Sequence, residues 1–244
     1  MNEDLNIIAM IPARIGSTRL KMKNLALING KPLIYYTIEA AKASGVFNKV
    51  VLNSDNKIFA EIARRYDVEF YQRPVSLGSS STKSDAVVYD FMLKHPSDLL
   101  AWVNPTSPLQ TGDEVKEVIK YFIKKRLDTL ITTKNEQVHC AYQDKPVNFR
   151  TEEIFAQTQD LEPVQSFVYS IMMWRSRTFM DTYEKRGRAL FSGKVGYYPV
   201  SKKTSLIVKT EEDLLLADFI MRAEKQYKGQ RIEYDKIVQD LEGV

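Results

Sequence analysis

The sequence predicts an α/β fold: a mainly parallel sheet flanked by helices, with a small inserted arm. Three observations carry this. Short β-rich runs alternate with helical patterns from residue 6 to about 135, at the spacing of right-handed βαβ units. The alternation breaks over 136–166, where polar residues mix with scattered aromatics and no long helical period survives. Strand character returns at 167–174 and 195–201, before a last helix near 211–226.

The first strand is the apolar run "NIIAMIP" (6–12). "PLIYYTIEAAKAS" (32–44) reads as a helix, with Pro32 near its first turn, where a missing N–H is tolerated. "KVVLNSD" (49–55) is strand-like, and "KIFAEIARRY" (57–66) repeats apolar residues at helical spacing. "VEFYQRP" (68–74) is a third strand, stopped by Pro74. A helix, "KSDAVVYDFMLKH" (83–95), a strand, "DLLAWVNP" (98–105), and a helix, "DEVKEVIKYFIKK" (113–125), follow, and "DTLITTK" (128–134) closes the series. Beyond the break, "FVYSIMMW" (167–174) and "VGYYPVS" (195–201) are strands, and 228–244 is a polar tail without visible chemistry.

The bulk composition excludes several function classes. A chain of 244 residues, 44% of them hydrophobic, can bury a sizeable core. Thirty-five Lys and Arg against 31 Asp and Glu give a charge of +4, too mild for a nucleic-acid-binding domain. Cys140 has no second cysteine to pair with, which suits a reducing cytoplasm. His95 and His139 lie far apart without metal-ligand spacing, which argues against zinc. No apolar stretch reaches the roughly 18–20 residues of a membrane span. A cytoplasmic protein without nucleic-acid or membrane partners is expected.

The loop after the first strand, "IPARIGSTRLKMKN" (11–24), carries Arg14, Arg19, Lys21 and Lys23. In open α/β sheets ligands bind beyond the C-terminal ends of strands, which is where this loop starts. Gly16 and Ser17 permit a tight turn whose N–H groups can face an anion. Arg14 and Lys23 are spaced to grip a triphosphate from two sides. Neither the P-loop nor the dinucleotide fingerprint is present. The plain alternative is a solvated basic loop.

The string "IPARIGSTRLKMKNLALINGKPLIYYTIEAA" resembles the opening signature of the N-acylneuraminate cytidylyltransferases, the CMP-sialic acid synthetases. The resemblance continues in order through "VVLNSDNKIFAEIA", "YQRP", "SLGSSSTKSDAVV", "NPTSPLQ" and "SLIVKTEEDLLLAD", over roughly residues 7–220. It implies a Rossmann-like nucleotidyltransferase fold, CTP and an acidic sugar as substrates, pyrophosphate as product, Mg²⁺ as cofactor and a homodimer. Carried over by position, Arg14 and Lys23 would hold the triphosphate, and Asn24 would lie beside the nucleotide. Ala13, Gly16 and Ser17 complete the nucleotide-side loop, and Arg73 and Ser84 belong to the cytidine pocket. For Arg73 the structural alternative is a surface salt bridge, and for Ser84 a helix cap. The expected organisation is a nucleotide-binding core (1–135), a substrate-facing or dimerisation excursion (136–175), and a return to the core with a C-terminal helix (176–244). Tyr142, Phe149, Phe155, Phe167 and Tyr169 would anchor the excursion on a partner.

Three departures from the family pattern bear on mechanism. Asn104 stands where the family has Gln, one methylene longer. "SFVYSIMMW" puts Val168, Tyr169 and Ser170 where the family has Asn-Gly-Ala, which replaces a glycine by a bulky ring. "IVKTEED" puts Ile207 and Lys209 where two aspartates hold Mg²⁺, while Thr210 and Asp213 are spaced as a helix capping box. The protein's metal ligands are therefore unassigned; Lys209 could supply the lost positive charge, or Glu211, Glu212 or Asp55 could supply oxygens. The expected catalytic set is Arg14, Lys23, Asn104 and Lys209. The leading reading is transfer of CMP from CTP to an acidic sugar. The alternatives are a nucleotide-binding protein without turnover and a transferase of another nucleotide.

Overall fold

The structure, a computed structural model, describes residues 5–79, 81–227, 229 and 233–235. Most of the tail read from residue 228 onward therefore lies outside the described residues. Seven strands form one sheet: β1 (Ile7–Ala13), β2 (Lys49–Ser54), β3 (Glu69–Gln72), β4 (Leu99–Val103), β5 (Thr129–Glu136), β6 (Val164–Arg175) and β7 (Val195–Pro199). Their order is β3-β2-β1-β4-β6-β5-β7. Every pairing is parallel except those of β6, which runs antiparallel to both β4 and β5. The helices are α1 (Leu33–Ser44), α2 (Ile58–Arg65), α3 (Ser84–Lys94), α4 (Gly112–Lys124), α5 (Ser176–Arg186) and α6 (Glu211–Gln226).

Alternation along β1 sorts the core into two layers. Ile7, Ala9 and Ile11 pack with Ile34 and Ile38 of α1, Phe59 of α2 and Phe122 of α4. Ile8 and Met10 face the other side, with Phe91 of α3, Trp174 of β6 and Phe179 of α5. Both faces of β1 are therefore covered, which is why its sequence is a continuous apolar run. The chain winds from β1 outward to β2 and β3, then returns across β1 to β4. That reversal leaves a crevice at the C-terminal ends of β1 and β4.

Helix α5 and a short hairpin at 27–32 are among the elements that went unread in the sequence. Helix α5 has no side-chain cap and buries only Ser176 and Phe179, so its apolar signal is faint. A two-residue ladder joins Leu27–Ile28 to Lys31–Pro32 around Asn29 and Gly30, whose φ angles of 45° and 79° suit a tight hairpin. This hairpin seats α6: Asn29 N donates to Asp218 Oδ1 at 2.6 Å, and Ile28 packs with Ala217 and Met221.

Beyond Glu136 the chain leaves the sheet as a small ladder, Ala141–Tyr142 against Lys145–Pro146, and a single turn at Thr158–Asp160. His139 stacks on Phe155 at 4.0 Å and meets Phe149 edge-on, while Tyr142 and Phe155 are exposed. Phe167 and Tyr169, named with them as anchors, lie on β6, over the strand read at 167–174, and are both exposed.

Candidate active site

The crevice holds a cavity of about 340 Å³ drawn from three stretches of chain: 12–24, 73–87 and 102–106. Pro12 and Ala13 end β1, and Trp102 and Asn104 lie at the end of β4. Arg14, Ser17, Arg19, Lys23 and Asn24 come from the first loop. Gly16 is exposed and outside the lining, and Ser17 N closes a turn on Ile15 O at 3.0 Å, so the Ser17 N–H is already committed.

Lys23 begins a 3-10 turn after Met22, which has φ 48°. It is half-buried, and that burial lowers its amine from 10.5 to about 8; repulsion by Arg19 and Arg14 adds to the drop, Asp213 opposes it, and Lys209 adds a further repulsion. Four cations crowd one place with a single carboxylate among them. Such a cluster is stabilised by a bound polyanion.

Arg73 is 4% exposed, which excludes a surface salt bridge. Its guanidinium donates to Asn53 O (2.8 Å) and Ala13 O (3.2 Å) and pairs with Asp55 Oδ1 at 3.3 Å, so it ties β2 to β1 beneath the cavity. Gly78 fits against the same aspartate: a Cβ there would sit 2.7 Å from Asp55 Cβ. Ser84 is the first residue of α3 and makes no capping bond, which leaves its hydroxyl on the cavity wall. Three buried polar atoms around this cavity have no hydrogen-bond partner: Asn24 Oδ1, Arg73 Nε and Trp102 Nε1. Buried polar groups are nearly always paired, and three orphans lining one cavity indicate a polar ligand.

A second cavity, about 590 Å³, adjoins the first and shares Arg19, Lys23, Asn104 and Thr106 with it. Its other walls are Lys134 and Glu136 of β5, residues 166–169 of β6, and residues 205–213. Asn104 stands at the junction with most of its amide committed. Its Oδ1 accepts from Thr106 N (3.2 Å) and Thr106 Oγ1 (2.8 Å), and its Nδ2 donates to Tyr169 O at 3.2 Å. Lys209 lines the second cavity and is exposed. Thr210 and Asp213 do form the expected capping box at the start of α6. Burial pushes the Asp213 carboxyl up, yet it lies below its ordinary value because Lys209 N, Thr210 N and the Thr210 hydroxyl bond to it and the Lys209 charge favours it ionised.

A protein-held Mg²⁺ does not fit this donor set. Among the described residues, no three His, Cys, Asp or Glu side chains gather as metal ligands. The carboxylates lining the two cavities are Asp213, whose Oδ2 already accepts three bonds, and Glu136, paired with Lys134 at 2.7 Å. Asp55 is committed to Arg73. Mg²⁺ requires oxygen ligands, and cations occupy the places nearest the junction.

A family model described as cytidylyltransferase matches residues 8–214. The chain belongs to the cytidylyltransferase family. Among curated proteins, the N-acylneuraminate cytidylyltransferase of Streptococcus agalactiae serotype V is 26% identical over 223 residues, covering 85% of this chain and 51% of that protein. The pseudaminic acid cytidylyltransferase of Campylobacter jejuni is 36% identical over 123 residues, covering 48% of this chain and 53% of that protein. The chain thus spans about half the length of these curated relatives. The solved CMP:2-keto-3-deoxy-manno-octonic acid synthetase in complex with CTP superposes with a TM-score of 0.70 at 15% identity, over 90% of this chain and 99% of that one. That likeness shows the fold, a mainly parallel sheet of the cytidylyltransferase kind.

Of the residues read from sequence, Ala13, Arg14, Ser17, Lys23, Asn24, Arg73, Ser84 and Asn104 come together in one cavity, and Lys209 lines the next. Trp102, Thr106 and Lys134 were missed. Trp102 lies within the apolar run of β4 and reads as core, and nothing local marks Lys134 as facing a cavity.

Proposed function

We propose that the protein is a cytidylyltransferase that transfers CMP from CTP to an acidic sugar and releases pyrophosphate. The carrying observation is the cavity between β1 and β4, where cations crowd at one end and three unpaired buried polar atoms wait around the lining. CTP fits both needs: the triphosphate takes the charge of Arg14 and Lys23, and the nucleoside offers partners to Asn24, Arg73, Ser84 and Trp102. An acceptor hydroxyl from the adjoining cavity forms a bond to the α-phosphorus as the bond to pyrophosphate breaks, and the hydroxyl proton passes to solvent. Arg14 and Lys23 stabilise the negative charge that builds on the leaving group, and Lys209 adds positive charge at the junction. Asn104, fixed by Thr106 and Tyr169 O, sits between the two substrates as a spacer.

Thermal-shift measurements with CTP, UTP, ATP and GTP, each with and without Mg²⁺, test the nucleotide side. CTP at ~100 times its dissociation constant adds roughly 2.7 kcal/mol and a shift of several degrees. An equal shift for a purine nucleotide overturns the pyrimidine assignment. A second reading, nucleotide binding without turnover, is favoured by Ile207 and Lys209 in place of carboxylates. Pyrophosphate release with any acidic-sugar acceptor eliminates it. The cytidylyltransferase reading includes a homodimer, supported by the exposed Tyr142 and Phe155 of the excursion; light scattering that gives a monomer at micromolar concentration removes it.

A further inference from the structure

The second cavity contains a residue in a backbone conformation that its type resists. Tyr169 has φ 58°, in the left-handed region that bulky residues rarely enter. It lies in a bulge of β6. Phe167 pairs with Thr133 and Met172 with Ile131, so four residues of β6, 168–171, cover the step that Thr132 alone covers on β5.

The bulge is fastened from behind. Ser170 Oγ lies 3.0 Å from Thr132 Oγ1 and accepts from Gln110 Nε2 at 3.1 Å. Ile171 N donates to Thr132 Oγ1 at 3.0 Å, and Asn104 N donates to Ser170 O at 2.8 Å. These bonds over-determine the turn, so the unfavourable conformation persists, as it does where a site needs a side chain aimed. What is aimed is the Tyr169 ring. It is 41% exposed, it lines the cavity with Phe167 edge-on at 5.5 Å, and among the described residues its hydroxyl has no hydrogen-bond partner.

Resting on the function proposed above, we propose that Tyr169 selects the acceptor. With Phe167 it forms an aromatic wall for the apolar C–H or acyl face of an acidic sugar whose carboxylate lies toward Lys23 and Lys209. An aromatic wall with a few placed charges is the lining that orients a small amphiphilic anion. Through its carbonyl, Tyr169 also holds the Asn104 amide, which links acceptor fit to the spacing of the two substrates.

Two variants separate ring from backbone. Tyr169→Gly keeps the left-handed turn and the carbonyl bonded to Asn104 while removing the ring, and Tyr169→Phe removes only the hydroxyl. Pyrophosphate release is measured with CTP and N-acetylneuraminate, pseudaminic acid or 2-keto-3-deoxy-manno-octonic acid. Tyr169→Gly is expected to lower kcat/KM for the best acceptor by about 10–100-fold and to reorder the three, with the KM for CTP changed by less than about twofold. Tyr169→Phe is expected to stay within about threefold of the unmodified protein. A glycine variant that turns over like the unmodified protein, or that loses CTP and acceptor binding together, overturns the assignment while the proposed function stands. An unmodified protein that binds CTP and turns over none of the three overturns the acceptor class and this assignment with it.

Discussion

The cavity between β1 and β4 draws on three stretches of chain, and the cavity beside β6 on five: 19–23, 104–106, 134–136, 166–169 and 205–213. The first is built around a loop and the ends of parallel strands, so its charge is displayed along one run of sequence. The second is assembled across the antiparallel strand, its bulge and the approach to α6. The departures from the family pattern at Tyr169, Ile207 and Lys209 lie in these assembled walls and Asn104 at the junction of both cavities, whereas the loop at 11–24 keeps the pattern. Under the proposed function, the difference assigns nucleotide capture to the loop and acceptor choice to the assembled walls, with Arg19, Lys23, Asn104 and Thr106 shared between them. A variant of a residue that lines only one cavity should leave the other cavity's parameters in place.

The largest expected effect is on the nucleotide side. Lys23→Ala should lower kcat by about 10²–10³-fold, the usual loss when one preorganised charge donor to a transition state is removed. The thermal midpoint should not fall, because the folded protein holds this ammonium at a cost: burial and two arginines disfavour its charge. Steady-state kinetics beside a melting curve decides it, and turnover like the unmodified protein's removes Lys23 from the mechanism.

A pH titration sharpens the same point. Free Lys23 has its amine at about 8, against 10.5 for an unhindered lysine. Below about pH 8 it is an ammonium and attracts triphosphate; above that value it is neutral and does not. Bound triphosphate stabilises the ammonium and raises its pKa, so CTP affinity should fall as pH rises above 8, by at most about tenfold per pH unit, with proton uptake on binding. Stability of the free protein runs the opposite way. The unfolded chain binds more protons between pH 8 and 10.5, so this residue's contribution to folding rises over that window. Calorimetry in buffers of different ionisation enthalpy measures the uptake, and its absence near pH 8.5 would place the ammonium away from the phosphates.

These expectations rest on features that differ in how far the sequence displays them. The first-half strands and helices are legible because a strand buried on both faces is a continuous apolar run and its neighbouring helices repeat at 3.6. The basic loop is legible because its charges are contiguous. Arg73 is visible as a residue before a proline, yet its partners Ala13 and Asp55 lie 60 and 18 positions away, so its burial could not be read. Asn104 reads as a shortened amide reaching for a substrate, and the folded chain instead turns that amide onto Thr106 and the Tyr169 carbonyl. No local signal marks Tyr169 for a left-handed turn, because the requirement comes from Thr132, Gln110 and Asn104 on other elements.

The smallest expected effect asks which part of the late motif is scaffold. Thr210 Oγ1 accepts from Asp213 N at 3.3 Å, and Asp213 Oδ2 accepts from Thr210 N and Lys209 N, each at 2.8 Å. In this reading the pair begins α6 and has no part in phosphate chemistry, although Lys209 beside it does. Thr210→Ala removes one exposed cap acceptor, which costs about 1 kcal/mol and lowers the midpoint by roughly 2–4 °C in a chain of this size. CTP affinity and acceptor KM should change by less than about twofold, because Lys209 N keeps its own bond to Asp213. Lys209→Ala should do the reverse, weakening turnover by about tenfold with the midpoint unchanged, since an exposed lysine contributes little to stability. If Thr210→Ala instead weakens CTP binding at unchanged stability, the retained half of the motif belongs to the site, and the boundary between scaffold and chemistry moves from residue 209 to residue 213.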